Sequence, residues 1–277
     1  SEAVQELQAR YVEAKVQGAS AARMAAWSNE HGWRPELGRV QLRSTDDFED
    51  YRKNFEVLEA FCTGFLAHFS KGDVAAMLSD PSGRALKGDD LTGDIKLVHH
   101  RDGTHKMVFK AIFRFKEGST RQMILPVVKS EIGEKEGEEH ITPREIFYTR
   151  ELSGKTSHTP RYLMDFEYDG RNYIIEEYIP GLTAYEIAAA RKERSLPRAE
   201  RVLIVQALLR IVAQMRGDTV ERYKGDAVKP VMSKDIQKKN FIIRDLKGGS
   251  RRAVFVDMGG RYYYKVEDIL LAIVKQY

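Results

Sequence analysis

The sequence predicts an α+β protein in which a strand-rich lobe is followed by a short helical lobe and preceded by a helical domain. Apolar residues recur at helical spacing through residues 1–90, which we assign to the helical domain. Residues 91–178 contain short apolar runs separated by turn residues, and residues 179–277 return to helical periodicity. A chain of 277 residues is long enough to bury a sizeable core in this arrangement.

An aromatic stripe is the main support for the helical domain. Within residues 44–69 the stripe consists of Phe48, Tyr51, Phe55, Leu58, Cys62, Phe65 and Phe69. This spacing places the side chains on one face of a helix and is typical of a packed core. Cys62 is the single cysteine, so no internal disulfide can form; a reducing (cytoplasmic) compartment and a secreted effector both remain possible.

Five strands with one helix after the third strand are predicted for the strand-rich lobe. The first three strands are predicted at IKLVHH, HKMVFKAIFRF and RQMILPVVKS, separated by the turn-forming segments RDGT and KEGST. The segment TPREIFYTRELSG predicts the inserted helix, with Pro at the first helical position. Strands at RYLMDFEYD and RNYIIEEYI complete the lobe.

The helical lobe carries polar residues that can converge on one point. Asp235 and Asn240 share a loop-like segment, MSKDIQKKN, directly before the predicted strand NFIIRD. A second strand, AVFVDM, follows after the turn LKGGSRR and ends at Asp257. If these two strands form a hairpin, the three side chains lie at the same end, and their oxygen atoms suit a metal–phosphate site.

The order of these elements, with KDIQKKN followed by VDMG, resembles the protein-kinase-like superfamily over about residues 95–277. That superfamily includes minimal eukaryotic-type protein kinases and aminoglycoside phosphotransferases. The resemblance implies a kinase that uses ATP and Mg²⁺ to transfer the γ-phosphate to a hydroxyl group. It assigns Asp235 to the acceptor hydroxyl, and Asn240 and Asp257 to the metal.

The resemblance also implies residues that hold the nucleotide. Lys129, in PVVKS on the third strand, is expected to contact the phosphates. Glu145 in the inserted helix is expected to pair with Lys129, and Glu151 on the same helix is the alternative partner. Gly103 in the first hairpin corresponds to the loop that covers the phosphates.

The connector between the lobes is the expected neighbour of the adenine ring. In the family, backbone groups of this connector bind the adenine edge. The segment YIIEEYIPGL places Glu177, Tyr178 and Ile179 in that position.

The sequence departs from the family pattern at several places. The first hairpin has Gly103 alone instead of a glycine-rich loop, and Ser233 stands where the family usually has His before the catalytic Asp. Eighteen residues, 260–277, follow Gly259, which predicts a truncated helical lobe without a long activation loop.

The acceptor and partners are left open by the sequence. A protein Ser or Thr is favoured as acceptor because residues 229–252 carry eight Lys or Arg against two Asp, a charge that also suits an acidic partner. A small-molecule phosphotransferase and a catalytically weak pseudokinase or binding module are the alternatives. The basic run has no interleaved aromatic residues, which disfavours nucleic-acid stacking. No apolar run is long enough to predict a membrane span.

Overall fold

The computed structural model describes residues 32–37, 62–66, 69–79, 85–102, 106–128, 143–168, 171–192 and 195–277. The chain divides into two units, which are described separately below. The sheet unit comprises Ser1–Ser130 and Leu163–Ile175, and the helical unit comprises Glu131–Tyr162 and Glu176–Tyr277. The domain boundaries that the sequence suggested after residues 90 and 178 remain predictions.

The sheet unit is built on one six-stranded sheet. Its strands are β1 (Arg34–Leu37), β2 (Leu91–Asp102), β3 (Lys106–Phe115), β4 (Thr120–Val128), β5 (Tyr162–Tyr168) and β6 (Arg171–Glu177). Their order across the sheet is β1-β2-β3-β4-β6-β5, with β2, β3 and β4 joined as an antiparallel meander. Helix α2 (Pro143–Leu152) lies between β4 and β5 in the chain, where the sequence predicted the inserted helix.

Strand β1 corrects two expectations, because it adds a sixth strand and lies in a region predicted to be helical. It pairs in parallel with β2, with Arg34 opposite Asp94. The Arg34 guanidinium donates to the Asp94 carboxylate at 2.6 Å and to the Thr92 carbonyl at 2.8 Å. The preceding Trp33 is buried. A strand of four residues is too short to show a periodic pattern. Its contacts are with residues about 60 positions away in the chain, so the local sequence does not indicate it.

Helical structure is present in other described parts of residues 1–90. Helix α1 spans Lys71–Leu78, and a π-helical turn spans Cys62–Leu66. Ser70 caps α1: its hydroxyl accepts from the Asp73 N–H, and the Asp73 carboxylate accepts from the Ser70 N–H. This reciprocal capping box fixes where the helix begins.

Aromatic residues fill much of the core of the sheet unit. Phe65 and Phe69, the last two members of the predicted stripe, stack with ring centroids 4.7 Å apart. Phe166 of β5 packs on Phe65 and stacks on Tyr173 of β6. Phe65 and Phe69 therefore belong to a packed core, as the spacing of the stripe predicted.

The helical unit contains four helices and two small sheets among the described residues. In addition to α2, its elements are β7 (Leu182–Thr183), α3 (Ala184–Ala190), α4 (Arg198–Arg216), β8 (Met232–Ser233), β9 (Phe241–Asp245), β10 (Arg251–Phe255), β11 (Tyr262–Tyr263) and α5 (Val266–Gln276). Helix α4 packs against β10, and one apolar core joins residues from α2 through α5. Among the described residues no helix is both long and apolar enough to cross a membrane.

Two small sheets determine where the polar loops of the helical unit lie. The first has the order β10-β9-β7, and Phe255 at the end of β10 pairs with Phe241 at the start of β9. The second pairs β8 with β11, placing Ser233 opposite Tyr262. The segments that precede β9 and follow β10 are therefore adjacent.

Gly181 permits the close approach of the chain to β9. Its φ is +143°, and a Cβ atom built on it would lie 2.3 Å from the Ile243 carbonyl oxygen. Only glycine avoids this collision with backbone. The next residues form β7, and Thr183 then caps α3 with Glu186 in a second capping box.

His158 links the loop after α2 to β10. Its Nδ1 lies 2.9 Å from the Ala253 carbonyl, so the neutral ring donates a hydrogen bond there. Burial lowers the pKa of His158, and the charges of Arg252 and Arg210 lower it further, although the hydrogen bond to Ala253 acts in the opposite direction. The folded state therefore prefers the neutral imidazole.

We predict that protonation of His158 makes the fold less stable in mild acid. Its folded pKa lies below the unfolded value of about 6.5, so the unfolded chain binds the proton first as the pH falls. The contribution of neutral His158 to the free energy of unfolding is therefore complete above the unfolded pKa and is lost as the pH falls below it. The substitution His158→Asn keeps a side-chain N–H donor and removes the titratable group. The variant should lose less melting temperature than wild type between pH 7.5 and 5.5, and equal losses would contradict this assignment.

Candidate functional site

Asn240 is held firmly within the loop that carries Asp235. The side chain of Asn240 is buried, and its Nδ2 donates to the backbone carbonyl of Asp235 at 2.9 Å. Only the NH₂ end of the amide can donate to a carbonyl, so this bond also fixes the direction of the Asn240 Oδ1. The Asn240 N–H donates to Gln237 within a short 3₁₀ turn, Lys238–Asn240. The loop therefore has a defined conformation around its carboxamide oxygen.

Ser233 connects this loop to the segment that follows β10. Its side chain is fully buried, and its Oγ donates to the Gly259 carbonyl at 2.8 Å. The same Oγ accepts the Asp235 N–H at 3.3 Å. Ser233 stands where the family usually has His. In the structure its hydroxyl accepts a hydrogen bond from the backbone N–H of Asp235 and so helps to orient that residue.

Further backbone contacts join the Asp257 segment to the same loop. The Val256 N–H donates to the Asn240 carbonyl at 2.9 Å, and the Lys234 N–H donates to the Arg261 carbonyl at 2.7 Å. The Asp257 Oδ1 accepts the Gly259 N–H at 2.9 Å, which folds the segment back on itself. We call this set of contacts, together with those of Ser233 and Asn240, the loop clamp.

The loop clamp joins the segment that carries Asp235 and Asn240 to the segment that carries Asp257. Oxygen atoms of carboxylates and carboxamides are the ligands that Mg²⁺ takes in proteins, usually one or two carboxylates completed by substrate phosphates. Among the described residues no group of three or more His, Cys, Asp or Glu side chains is arranged to bind a metal. Binding of a metal by Asn240 and Asp257 remains a prediction.

Tyr277 also supports the loop that carries Asp235, a contact that the sequence did not indicate. Its hydroxyl donates to the Ile236 carbonyl, and its ring meets Phe241 edge-on at 6.0 Å. Arg201 of α4 donates to the Tyr277 backbone carbonyl at 3.2 Å. Burial raises the pKa of Tyr277, and the negative charge of Asp235 raises it further. The phenol therefore stays protonated and remains a donor at neutral pH.

The two glutamates proposed as partners of Lys129 have different environments. Glu151 is held at the far end of α2, where its Oε2 accepts from Lys155 and from the Glu221 N–H, both at 3.0 Å. Glu145 is buried in the first turn of α2. Burial raises the pKa of Tyr262 well above its usual value, and the charge of Glu145 adds to that effect. Glu145 is thus buried beside Tyr262, whereas Glu151 is held by Lys155 and the Glu221 N–H.

Two predicted nucleotide-binding residues, Lys129 and Gly103, lie outside the described residues. Their roles therefore remain predictions. The Lys129 pairing with either glutamate is likewise a prediction.

The connector residues are present in an ordered segment of the helical unit. Glu177 ends β6, and its carboxylate pairs with Arg244 at 3.4 Å. Tyr178 is half-buried, and Ile179 is buried in a small apolar cluster. That cluster is completed by Ile242 and Val254, with Val256 packed against it. Binding of an adenine edge by backbone groups of this segment remains a prediction.

Several basic residues of the run at residues 229–252 make contacts within the helical unit. Lys229 donates to the Gly217 carbonyl, and Lys234 lies over the Tyr263 ring. Arg244 pairs with Glu177, and Arg251 pairs with Glu200. Lys239 and Lys247 are exposed. The acidic partner suggested by the sequence remains a prediction.

Comparisons with known proteins returned structural similarity alone. No protein-family model matches the chain, and no curated protein matches it. Among solved structures, the Mycobacterium tuberculosis PknI kinase domain is 17% identical over 58% of this chain and 57% of that chain, with a TM-score of 0.40. Rad53 1-466 in complex with AMP-PNP is also 17% identical, over 59% of this chain and 38% of that chain, with a TM-score of 0.38.

From β2 onward, the structure follows the order of elements that the sequence predicted. Within the sheet, β2, β3 and β4 form a meander, and β6 lies between β4 and β5. Helix α2 is inserted after β4, and the connector after β6 leads into the helices. The loop clamp then precedes and follows the β9–β10 hairpin. This is the order of elements on which the sequence resemblance was based.

We predict that Ser233→Ala weakens the loop clamp specifically. The substitution leaves the buried Gly259 carbonyl without its donor, which typically costs about 1–3 kcal/mol. Amide hydrogen exchange at residues 256–261 should accelerate. Ser153→Ala is the matched control, because the Ser153 hydroxyl accepts the Tyr162 N–H at 2.9 Å elsewhere in the helical unit. Equal exchange at residues 256–261 in both variants would contradict the role assigned to Ser233.

Proposed function

We propose that the chain is a kinase-like phosphotransferase that uses ATP and Mg²⁺ to transfer the γ-phosphate to a hydroxyl group. One observation carries the proposal: the loop clamp joins the segment of Asp235 and Asn240 to the segment of Asp257 through the Ser233 hydroxyl and the Val256 N–H. Phosphoryl transfer depends on positioning and charge neutralisation more than on covalent chemistry. Fixed contacts between the segments that carry Asp235, Asn240 and Asp257 support that positioning.

Three residues of the loop clamp, Asp235, Asn240 and Asp257, have a chemical role in this proposal. Asp235 accepts a hydrogen bond from the acceptor hydroxyl at its carboxylate and so orients that oxygen. Asn240 and Asp257 would hold Mg²⁺ through Oδ1 of the carboxamide and through the carboxylate. The hydrogen bond from Asn240 Nδ2 to the Asp235 carbonyl supports this division, because it commits the donor end of the amide and leaves the oxygen end as the ligand.

The nucleotide would be held by groups from several segments. Lys129 and Gly103 would contact the phosphates, Glu145 would pair with Lys129, and backbone groups at residues 177–179 would bind the adenine edge. When bound, Mg²⁺ supplies the charge that neutralises the phosphate oxygens. The burial of Glu145 supports its part, since a carboxylate shielded from water pairs more strongly with a lysine.

A Ser or Thr hydroxyl of a protein is the acceptor that we favour. Lys239 lies in the loop between Asp235 and Asn240, and Lys247 lies in the turn of the β9–β10 hairpin; both are exposed. Cations on these two loops suit an acidic stretch in a polypeptide. A small-molecule acceptor is the alternative, and the experiment below separates the two.

The test is transfer of label from γ-labelled ATP in the presence of Mg²⁺ to a cell extract separated into protein and small-molecule fractions. Asp235→Asn and Asp257→Ala should each lower the transfer rate by about 100-fold or more, because the first removes the carboxylate that orients the acceptor hydroxyl and the second removes a proposed metal ligand. Label on protein supports the favoured acceptor, and label in the small-molecule fraction supports the alternative.

Asp245→Asn is the control for these variants. Asp245 is an exposed carboxylate at the end of β9, so its loss should leave transfer unchanged. Absence of transfer in wild type, with a melting temperature that still rises on adding ATP, would contradict the transferase and indicate a binding module. No response to ATP in either assay would contradict the nucleotide site itself.

A further inference from the structure

Asp226 is a buried carboxylate that the proposed reaction does not use. It lies in the segment between α4 and β8, and its side chain is 0% exposed. Its Oδ2 accepts the Tyr148 hydroxyl at 2.5 Å, and its Oδ1 lies 2.7 Å from the Arg144 guanidinium. The Tyr264 hydroxyl lies 3.4 Å from the same Oδ1. A carboxylate is retained in such a place only when it is paired and hydrogen-bonded, as Asp226 is.

The two strongest partners of Asp226 belong to helix α2. Arg144 and Tyr148 are four residues apart, so they lie on the same face of the helix, one turn from each other. The Tyr148 oxygen also accepts the Tyr223 N–H at 3.1 Å. Burial raises the pKa of Tyr148, and the hydrogen bond to Asp226 raises it further, so the phenol stays a donor. One carboxylate thus contacts two successive turns of α2.

Contacts with Tyr262 connect the same face of α2 to the loop clamp. The Arg144 guanidinium lies 5.9 Å from the Tyr262 ring centroid, and the Tyr148 and Tyr262 rings are 5.5 Å apart. Tyr262 pairs with Ser233 in the β8–β11 sheet. Fixing Arg144 and Tyr148 also fixes the rotation of α2 about its axis, because neighbouring residues in a helix are about 100° apart. The direction of Glu145, which lies between them in sequence, is thereby determined.

We propose that Asp226 is a positioning residue, which fixes the rotation of helix α2 through Arg144 and Tyr148 and so presents Glu145 to the nucleotide site. The functional half of this inference rests on the proposed function. The structural half does not, because it concerns contacts within the helical unit alone. Asp226 acts through other residues and touches no substrate in this scheme.

The Glu200–Arg251 pair offers a matched control within the same unit. Its N–O distance is also 2.7 Å, and the Glu200 side chain is likewise buried. This pair joins α4 to β10 and does not involve α2. Asp226→Asn and Glu200→Gln each replace a carboxylate by an amide of the same shape and so remove one negative charge. A general loss of stability should therefore appear in both variants, whereas loosening of α2 should appear in Asp226→Asn alone.

The experiment compares wild type with Asp226→Asn, Tyr148→Phe and Glu200→Gln. Amide hydrogen exchange is measured over Pro143–Leu152, with exchange of α5 as the internal reference. Asp226→Asn should raise α2 exchange relative to α5 by about tenfold or more, the equivalent of losing a hydrogen bond to a charged group. Tyr148→Phe should give a smaller rise in the same place, and Glu200→Gln none. Should Asp226→Asn fail to fold, Tyr148→Phe decides the outcome.

Kinetics supply the functional readout. Asp226→Asn should lower kcat by about tenfold with little change in KM for ATP, because misplaced Glu145 affects the reacting phosphates more than nucleotide binding. Equal α2 exchange in the Asp226→Asn and Glu200→Gln variants would contradict the proposal that Asp226 holds helix α2. Looser α2 with unchanged kcat would overturn the positioning role. If wild type transfers no phosphate but α2 exchange rises in Asp226→Asn alone, the proposed function is wrong, whereas the structural role of Asp226 in holding α2 is supported.

Discussion

The buried hydroxyl of Ser233 is the contact on which the candidate site depends. It accepts the Asp235 N–H and donates to the Gly259 carbonyl, so one oxygen satisfies groups from two segments that lie 24 residues apart. Buried backbone groups without partners are costly, and a hydroxyl both donates and accepts. The β8–β11 pairing and the β9–β10 hairpin then keep the two segments adjacent. The chemistry proposed for Asp235 and Asp257 presupposes this connection.

Helix α2 belongs to the helical unit by its contacts, although it is inserted between strands of the sheet. Buried side chains explain this membership, since the carboxylate of Asp226 binds Arg144 and Tyr148 and the aromatic ring of Tyr262 packs against both. A glutamate on α2 is therefore held by the same unit that carries the loop clamp. Polar contacts inside an apolar core favour one arrangement over its alternatives, because any shift leaves a buried charge unpaired.

Sequence patterns predicted the elements whose signals are local. Strand and helix patterns predicted β2 to β4, α2 and the β9–β10 hairpin. The order of Asp235, Asn240 and Asp257 along the chain suggested one site. Other contacts depend on distant residues. Tyr148 meets Asp226 across 78 residues and Tyr277 meets Ile236 across 41, so no motif marks them. Strand β1 was missed for the same reason, because its stability comes from pairing with β2.

The most direct test of the central claim is a crystal structure with a non-hydrolysable ATP analogue and Mn²⁺ in place of Mg²⁺, with anomalous scattering used to locate the metal. The account predicts a manganese peak in contact with the Asn240 Oδ1, the Asp257 carboxylate and phosphate oxygens of the nucleotide. The Asp235 carboxylate should lie free of the metal and face the terminal phosphate. A bound nucleotide whose metal is held by other residues, or no metal and no nucleotide at saturating concentrations, would contradict it.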